Sequence, residues 1–254
     1  LIQQEIETSR KHYGLALKAI EAIGPNDPLH ALARSRRALI LAELKRIDEA
    51  IDDLRRLSAE HPESAQPDIE MGDILRIDRR FNEAIAAYDR GISKIGIAVR
   101  SDWPMFYSRG IAYERAGNWQ KAEADLQKAL ELAPGQPSVL NYLGYTWADM
   151  GRNLPEARAM IQSAAEQRKN DGAITDSLGW VLYRQGEIKA AVKTLERAVE
   201  LEPEDPTISD HLGDVYFAAG RKLEAMYEWK RALTLKPTPE DTAKIETKLR
   251  NGHP

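Results

Sequence analysis

Five histidines (His12, His30, His61, His211 and His253) and forty acidic residues are the side chains of this 254-residue chain that could take part in acid–base or metal chemistry. No two histidines share the helical spacing that turns two imidazoles toward one metal ion, and no phosphate-cradling glycine loop or nucleophile elbow is present. Cysteine is absent, which removes disulfides, thiolate metal sites and thiol nucleophiles but leaves the compartment open. The isolated histidines read as ordinary surface or loop residues. Asp210 and Asp214 lie one helical turn apart and could suggest a carboxylate pair, but they read as part of a solvated helix face. With no converging nucleophile, base or ligand set, the chain reads as non-enzymatic, with no cofactor and no metal.

Apolar residues make up 43% of the chain and charged residues 30%, the composition of a folded protein rather than a disordered one. The net charge is −4 with acids and bases interspersed, so no basic stripe is available for nucleic acid. No apolar run approaches the ~18 residues of a membrane span, and no signal peptide opens the chain. The first residue is Leu1 rather than Met, so a piece excised from a longer protein is expected, with any targeting segment outside it.

The element that repeats is residues 172–205, GAITDSLGWVLYRQGEIKAAVKTLERAVELEPED, 34 residues long. It carries Leu178 and Gly179 at positions 7 and 8, Leu182 at 11, Gly186 at 15, Ala191 at 20, Leu195 at 24, Ala198 at 27 and Pro203 at 32. The same register divides the chain into a partial unit 1–30 and units 31–64, 65–102, 103–136, 137–171, 172–205 and 206–239, with a capping helix and tail over 240–254. Unit 31–64 is the weakest, because Arg34 and Arg37 occupy apolar positions of its first helix. Unit 65–102 is long, and its second helix is expected to continue through Ile92, Ile95 and Val99. Glycine recurs at position 8 in five units although it costs about 1 kcal/mol inside a helix, so close approach of two helices is the expected compensation.

This pattern resembles the tetratricopeptide repeat (TPR), a helix–turn–helix unit of the same length. The resemblance implies an all-α, right-handed superhelical solenoid of about seven units, closed by a C-terminal capping helix. At about 100° per residue, positions 4, 7, 8 and 11 face the core, while positions 2, 5, 9, 12 and 13 cluster on another side of the first helix. In TPR proteins that second cluster lines a concave groove. The resemblance therefore implies a partner-binding groove formed by Tyr107, Ile111, Asn141, Tyr145, Asp149, Asp176, Trp180, Tyr183, Arg184, Asp210, Asp214 and Phe217. The aromatic members either anchor an extended or helical peptide or pack sideways on the next unit. Asn141, Asp176 and Asp210 share position 5 and should form a ladder, which can bond a ligand backbone, attract a basic segment or face solvent. The lysine–asparagine pair of the TPR clamp for chaperone carboxylates does not occur at positions 5 and 9, so that role is not expected.

The stretches Asn141–Asp149, Asp176–Arg184 and His211–Asp214 are also similar to the C-terminal repeats of large bacterial TPR proteins, some of them outer-membrane lipoproteins. One such protein partners a periplasmic carboxyl-terminal processing protease and brings substrates to it. The similarity implies a protein-binding envelope adaptor, located in the periplasm or anchored at the outer membrane. A cytoplasmic scaffold or assembly factor, or the TPR region of a larger catalytic protein, are the alternatives. The expected partner is a protein or peptide, with no nucleic acid and no insertion of this chain into a membrane.

Overall fold

Asp171, Asp205 and Thr238 open three helices in the computed structural model, which describes the backbone of residues 2–254 and the side chains of residues 12–254. Asp171 accepts from the N–H of Ile174, Asp205 from those of Thr207 and Ile208, and Thr238 from that of Asp241. Pro206 and Pro239 follow at the start of the last two helices, where no backbone donor is needed. The described residues form α-helices and one short 3-10 turn, with no strand among them. The chain falls into two compact units, one ending at Ala133 and the other Pro134–Pro254.

The first unit contains α1 (Ile2–Glu21), α2 (His30–Glu43), α3 (Ile47–Glu60), α4 (Gln66–Ile77), α5 (Phe81–Lys94), α6 (Trp103–Arg115) and α7 (Trp119–Leu132). Its core gathers Leu41, Leu54, Leu57, Met71, Leu75 and Tyr88. Arg34 and Arg37 do not break α2, because α3 supplies their counter-charge. Arg37 lies 2.6 Å from Asp53, and Arg34 reaches both Asp53 and Glu60. An ion-pair seam thus takes the place of apolar contacts there. The expected continuation of the second helix of unit 65–102 is corrected. Helix α5 stops at Lys94, Ile95 is extended, and Ile97 and Val99 lie in an exposed connector before the 3-10 turn Arg100–Asp102. Gly96 between β-branched residues opposes a further helical turn. Lys94 is also held to Asp68 at 2.7 Å and to the Ser64 carbonyl at 3.1 Å.

The second unit contains α8 (Pro137–Asp149), α9 (Leu154–Gln167), α10 (Gly172–Arg184), α11 (Ile188–Leu201), α12 (Pro206–Ala218), α13 (Lys222–Thr234) and α14 (Pro239–Asn251). The pairs α8–α9, α10–α11 and α12–α13 make the most extensive helix–helix contacts of this unit. Each pair closes on small residues. A Cβ added to Gly179 would lie 2.5 Å from Leu195 Cγ, and one added to Gly213 would lie 2.5 Å from the Trp229 ring. Ala157, Ala191 and Ala225, and their counterparts Ala164, Ala198 and Ala232, are fully buried on the second helices. Helix α14 is held more lightly than the rest. Its one buried side chain is Ile245, worth about 1.5–3 kcal/mol, whereas every other helix of the unit buries three or more residues. Of its other apolar positions, Leu249 packs at the margin and Ala243 is exposed.

The residue that turns the first helix of a unit into the second is left-handed. Gly186 has φ 81°, but the equivalent positions earlier in the chain hold Lys45 at 62° and Arg79 at 64°. Because Arg79 is exposed and a side chain is disfavoured at positive φ, Arg79→Gly is expected to raise stability by about 0.5–1 kcal/mol, the larger unfolded-state entropy of glycine offsetting part of the gain. The opposite case is Gly179→Ala, expected to lower stability by about 1–3 kcal/mol through the forced contact with Leu195. Urea unfolding of the two variants checks both signs, and an unchanged midpoint for Gly179→Ala would show that the helix pair has slack there.

Candidate functional site

Tyr107 and Ile111 stand half-buried on α6 of the first unit, with the Tyr107 ring tilted against Trp103 at 5.9 Å. The other ten expected groove residues stand on the first helices of the three pairs of the second unit, α8, α10 and α12. There Tyr145, Asp149, Trp180, Asp210 and Asp214 line one cleft of about 270 Å³, together with His211, Ile245, Lys244 and Lys248.

His211 stands in the wall of this cleft, and its sequence reading as a surface histidine is corrected. It is 7% exposed. Its Nδ1 lies 2.9 and 3.0 Å from the two Asp176 oxygens, and its ring stacks on Trp180 with centroids 4.2 Å apart and planes 19° from parallel. Tyr145 packs on the same imidazole at 6.1 Å, and Tyr183 on Trp180 at 5.2 Å. Tyr145 of α8 and Trp180 and Tyr183 of α10 thus form one cluster with the imidazole of α12. Trp180, at 8% exposure, lines the cleft and packs between Tyr183 and His211. Its Nε1 and the Asn141 Oδ1 are buried without a protein partner.

The position-5 acids are paired rather than solvated. Asp176 is engaged by His211, and Lys248 of α14 donates to both oxygens of Asp210 and to Asp214 Oδ2, each at 2.8 Å. The other Asp214 oxygen accepts from the Trp229 indole at 2.9 Å. The solvated-face reading of Asp210 and Asp214 is therefore corrected as well, since Asp214 is only 5% exposed. Burial pushes the Asp214 carboxyl above the usual carboxylate range; Lys248 opposes the rise and Asp210 adds to it. Arg184 bonds the Asp149 carbonyl at 2.5 Å, closing the C-terminal end of α8. Phe217 is half-buried against Trp229, with Lys222 over its face.

His211, Lys248 and Ile245 are the contributors that sequence reasoning missed. The available signal was modest. His211 follows Asp176 by 35 residues, close to one repeat, and it directly precedes the buried Leu212–Gly213 pair. A second cleft, about 380 Å³ and wholly in the first unit, has Asp68 in its wall. That carboxylate is fully answered by Ser58, Arg90 and Lys94, and their hydrogen bonds outweigh burial and hold it below its ordinary range. Among the described residues no group of three or more His, Cys, Asp or Glu side chains is arranged to hold a metal ion.

Residues 9–65 and 104–136 match family models described as tetratricopeptide repeat, and residues 179–220 match one described as TPR repeat. These stretches take in just over half of the chain, which thus carries tetratricopeptide repeats. It is 31% identical over 199 residues to a TPR repeat-containing protein of Pseudomonas aeruginosa, an alignment covering 78% of this chain and 32% of that protein. It is 34% identical over 88 residues to small glutamine-rich tetratricopeptide repeat-containing protein 2 of Mycosarcoma maydis, covering 33% of this chain and 24% of the relative. The aligned stretch is thus about a third or less of each relative's length. Among solved structures, a chain of the APC/C hetero-tetramer Cut9–Hcn1 has TM-score 0.76 at 18% identity over 94% of this chain and 46% of that one. A tetratricopeptide repeat protein from Parabacteroides merdae has TM-score 0.71 at 16% identity over 98% of both chains. YrrB, described as a TPR protein with an unusual peptide-binding site, has TM-score 0.54 at 19% identity over 76% of this chain and 97% of its own. Proteins of this class are generally non-catalytic scaffolds for protein interaction.

Burial disfavours the His211 imidazolium, but Asp176 by charge and hydrogen bond, with Asp210 and Asp214 behind it, more than offsets this and raises the pKa above 6.5. A histidine pKa raised by folding adds stability that is fully present below the unfolded value and is lost as pH rises through the folded one. His211→Asn keeps a donor near Nδ1 and removes the charge. Wild type is expected to exceed this variant in stability most at pH 6 and below, with the margin shrinking toward pH 9 to the residue left by lost stacking. Thermal melts across that range check it, and a margin that grows with pH would show that the buried imidazole is neutral.

Proposed function

We propose that this chain is a non-catalytic adaptor, a solenoid over residues 1–239 that holds a protein or peptide along its groove-facing residues. The observation that carries the reading is the cleft of the second unit, where Tyr145, Asp149, Trp180, Asp210 and Asp214 meet around His211. Rigid aromatics beside partly covered charges are the composition of interface hot spots. A peptide as occupant agrees with the binding site named for YrrB, a protein of the same fold. Within this class we favour an adaptor of the bacterial envelope that presents substrates to a carboxyl-terminal processing protease. The support is the similarity of residues 141–149, 176–184 and 211–214 to such proteins.

The test begins with cross-linked isolation from bacterial envelope extract and identification of the partner by mass spectrometry. The purified partner is then titrated with wild type and with Tyr145→Ala, a half-buried position whose truncation spares the Trp180–His211 stack. A loss of at least ~2 kcal/mol, about thirtyfold in affinity, is expected for an anchor. Equal affinity with intact helicity would move the interface away from this cleft. A partner confined to the cytoplasm would remove the envelope assignment.

A further inference from the structure

The attachment of α14 differs in kind from that of the other helices of its unit. It rests on one buried apolar side chain, Ile245, with Leu249 at the margin, and on one half-buried cation three residues further on, Lys248. The segment before it, residues 235–238, is not helical and includes Lys236 at φ 59°. Lys244, the other lysine at the cleft, is paired with Glu240 and Asp241 of α14 itself. Both lysines therefore leave the cleft if α14 leaves, and Asp149, Asp210 and Asp214 remain on α8 and α12.

That remainder calls for a cation. Asp210 and Asp214 lie one turn apart on α12 with side chains only 18% and 8% exposed, and the Trp229 indole donates to one of their four oxygens. That burial includes the cover of α14; once α14 leaves, water reaches the pair, but two like charges one turn apart still favour a cation or a shared proton. The seat beneath α14 is thus specific: a branched aliphatic side chain with an ammonium or guanidinium one helical turn later. Asp149 at the cleft edge, 54% exposed, extends the negative rim.

We propose that this face of α12 and α13 is the binding site for a basic amphipathic helix of a partner protein, and that α14 occupies it in cis as a displaceable stand-in. The incoming helix places Ile, Val or Leu where Ile245 sits and Lys or Arg where Lys248 sits. The proposal rests on the reading of the chain as an interaction scaffold and names the partner's chemistry and its seat.

The test uses the full chain and a fluorescein-labelled synthetic peptide copying residues 238–254. In wild type the cis helix competes, so apparent affinity is reduced by the fraction of sites open. Ile245→Ala and Lys248→Ala in the full chain are each expected to bind the peptide at least tenfold more tightly than wild type. A peptide carrying Lys248→Glu is expected not to bind. Absence of peptide binding to both variants, each shown to be folded by circular dichroism, would overturn the proposal by making α14 a permanent part of the fold. Loss of cooperative unfolding in both variants would overturn it in the same way. Dimers of Lys248→Ala in size-exclusion chromatography, dispersed by free peptide, would assign the seat to a second copy of the chain and so overturn the partner helix. If the peptide fails to bind while an isolated partner still depends on Tyr145, the scaffold reading stands and this deepening of it falls.

Discussion

Two helices of this chain can form a pair only where the first has no side chain in the way of the second. At Gly179 a single added carbon would meet Leu195, and at Gly213 it would meet the indole of Trp229. The backbone of the first helix is therefore the surface on which the largest side chains of the second are packed. Such seats cannot be filled gradually, since interiors this close-packed register even one methylene. Small residues at the same register position let each pair bury its large side chains locally, and the remaining faces are free for the next pair or for a ligand.

The second constraint is electrostatic, and it separates the two ends of the chain in character. In the first unit charges take over where apolar residues fail. Arg34 and Arg37 close on Asp53, and Arg109 holds Asp125 through two bonds of 2.7 Å while also reaching Asp89. In the second unit the charges run from one first helix to the next. Asp176 is answered by His211 one unit on, and Asp210 and Asp214 are answered by Lys248 on the terminal helix. Each acid is left incomplete by its own helix and is satisfied only when the following helix is in place. Buried pairs of this kind add little net stability, because their desolvation cancels much of their attraction.

The fold was legible because it is written in small residues and punctuation: glycine at position 8, alanine at 20 and 27, and a left-handed residue at 15. Those are backbone requirements, and each shows in one residue at one place. The site was only half legible. Helical geometry put Tyr145, Trp180 and Asp210 on one side of their helices, and the resemblance to TPR proteins implied that this side lines a groove. It did not reveal that Asp176 and Asp210 are already paired, because their partners lie 35 and 38 residues further on in other helices. A histidine next to a buried stripe and a lysine in a polar terminal helix look ordinary until both are placed against an acid. The long unit 65–102 misled for a related reason. Apolar Ile92, Ile95 and Val99 read as helix by periodicity, while Gly96 among them marks where the helix ends.

Position along a repeat array has energetic consequences that bear on function. An inner first helix is held by its own partner helix and by neighbours on either side, so releasing it exposes several interfaces together. Helix α14 packs on α13 with an apolar attachment that consists of Ile245 with Leu249 at the margin. A helix of 13 residues with so little buried surface is marginal on its own. Its stability therefore depends chiefly on the seat it occupies, and that seat is set by Asp210 and Asp214. The same carboxylates, two like charges left without a cation when the groove is empty, favour a cation-bearing helix within it. Selectivity for charge and ease of exchange thus arise from one arrangement, and neither requires any movement of the glycine-closed pairs beneath.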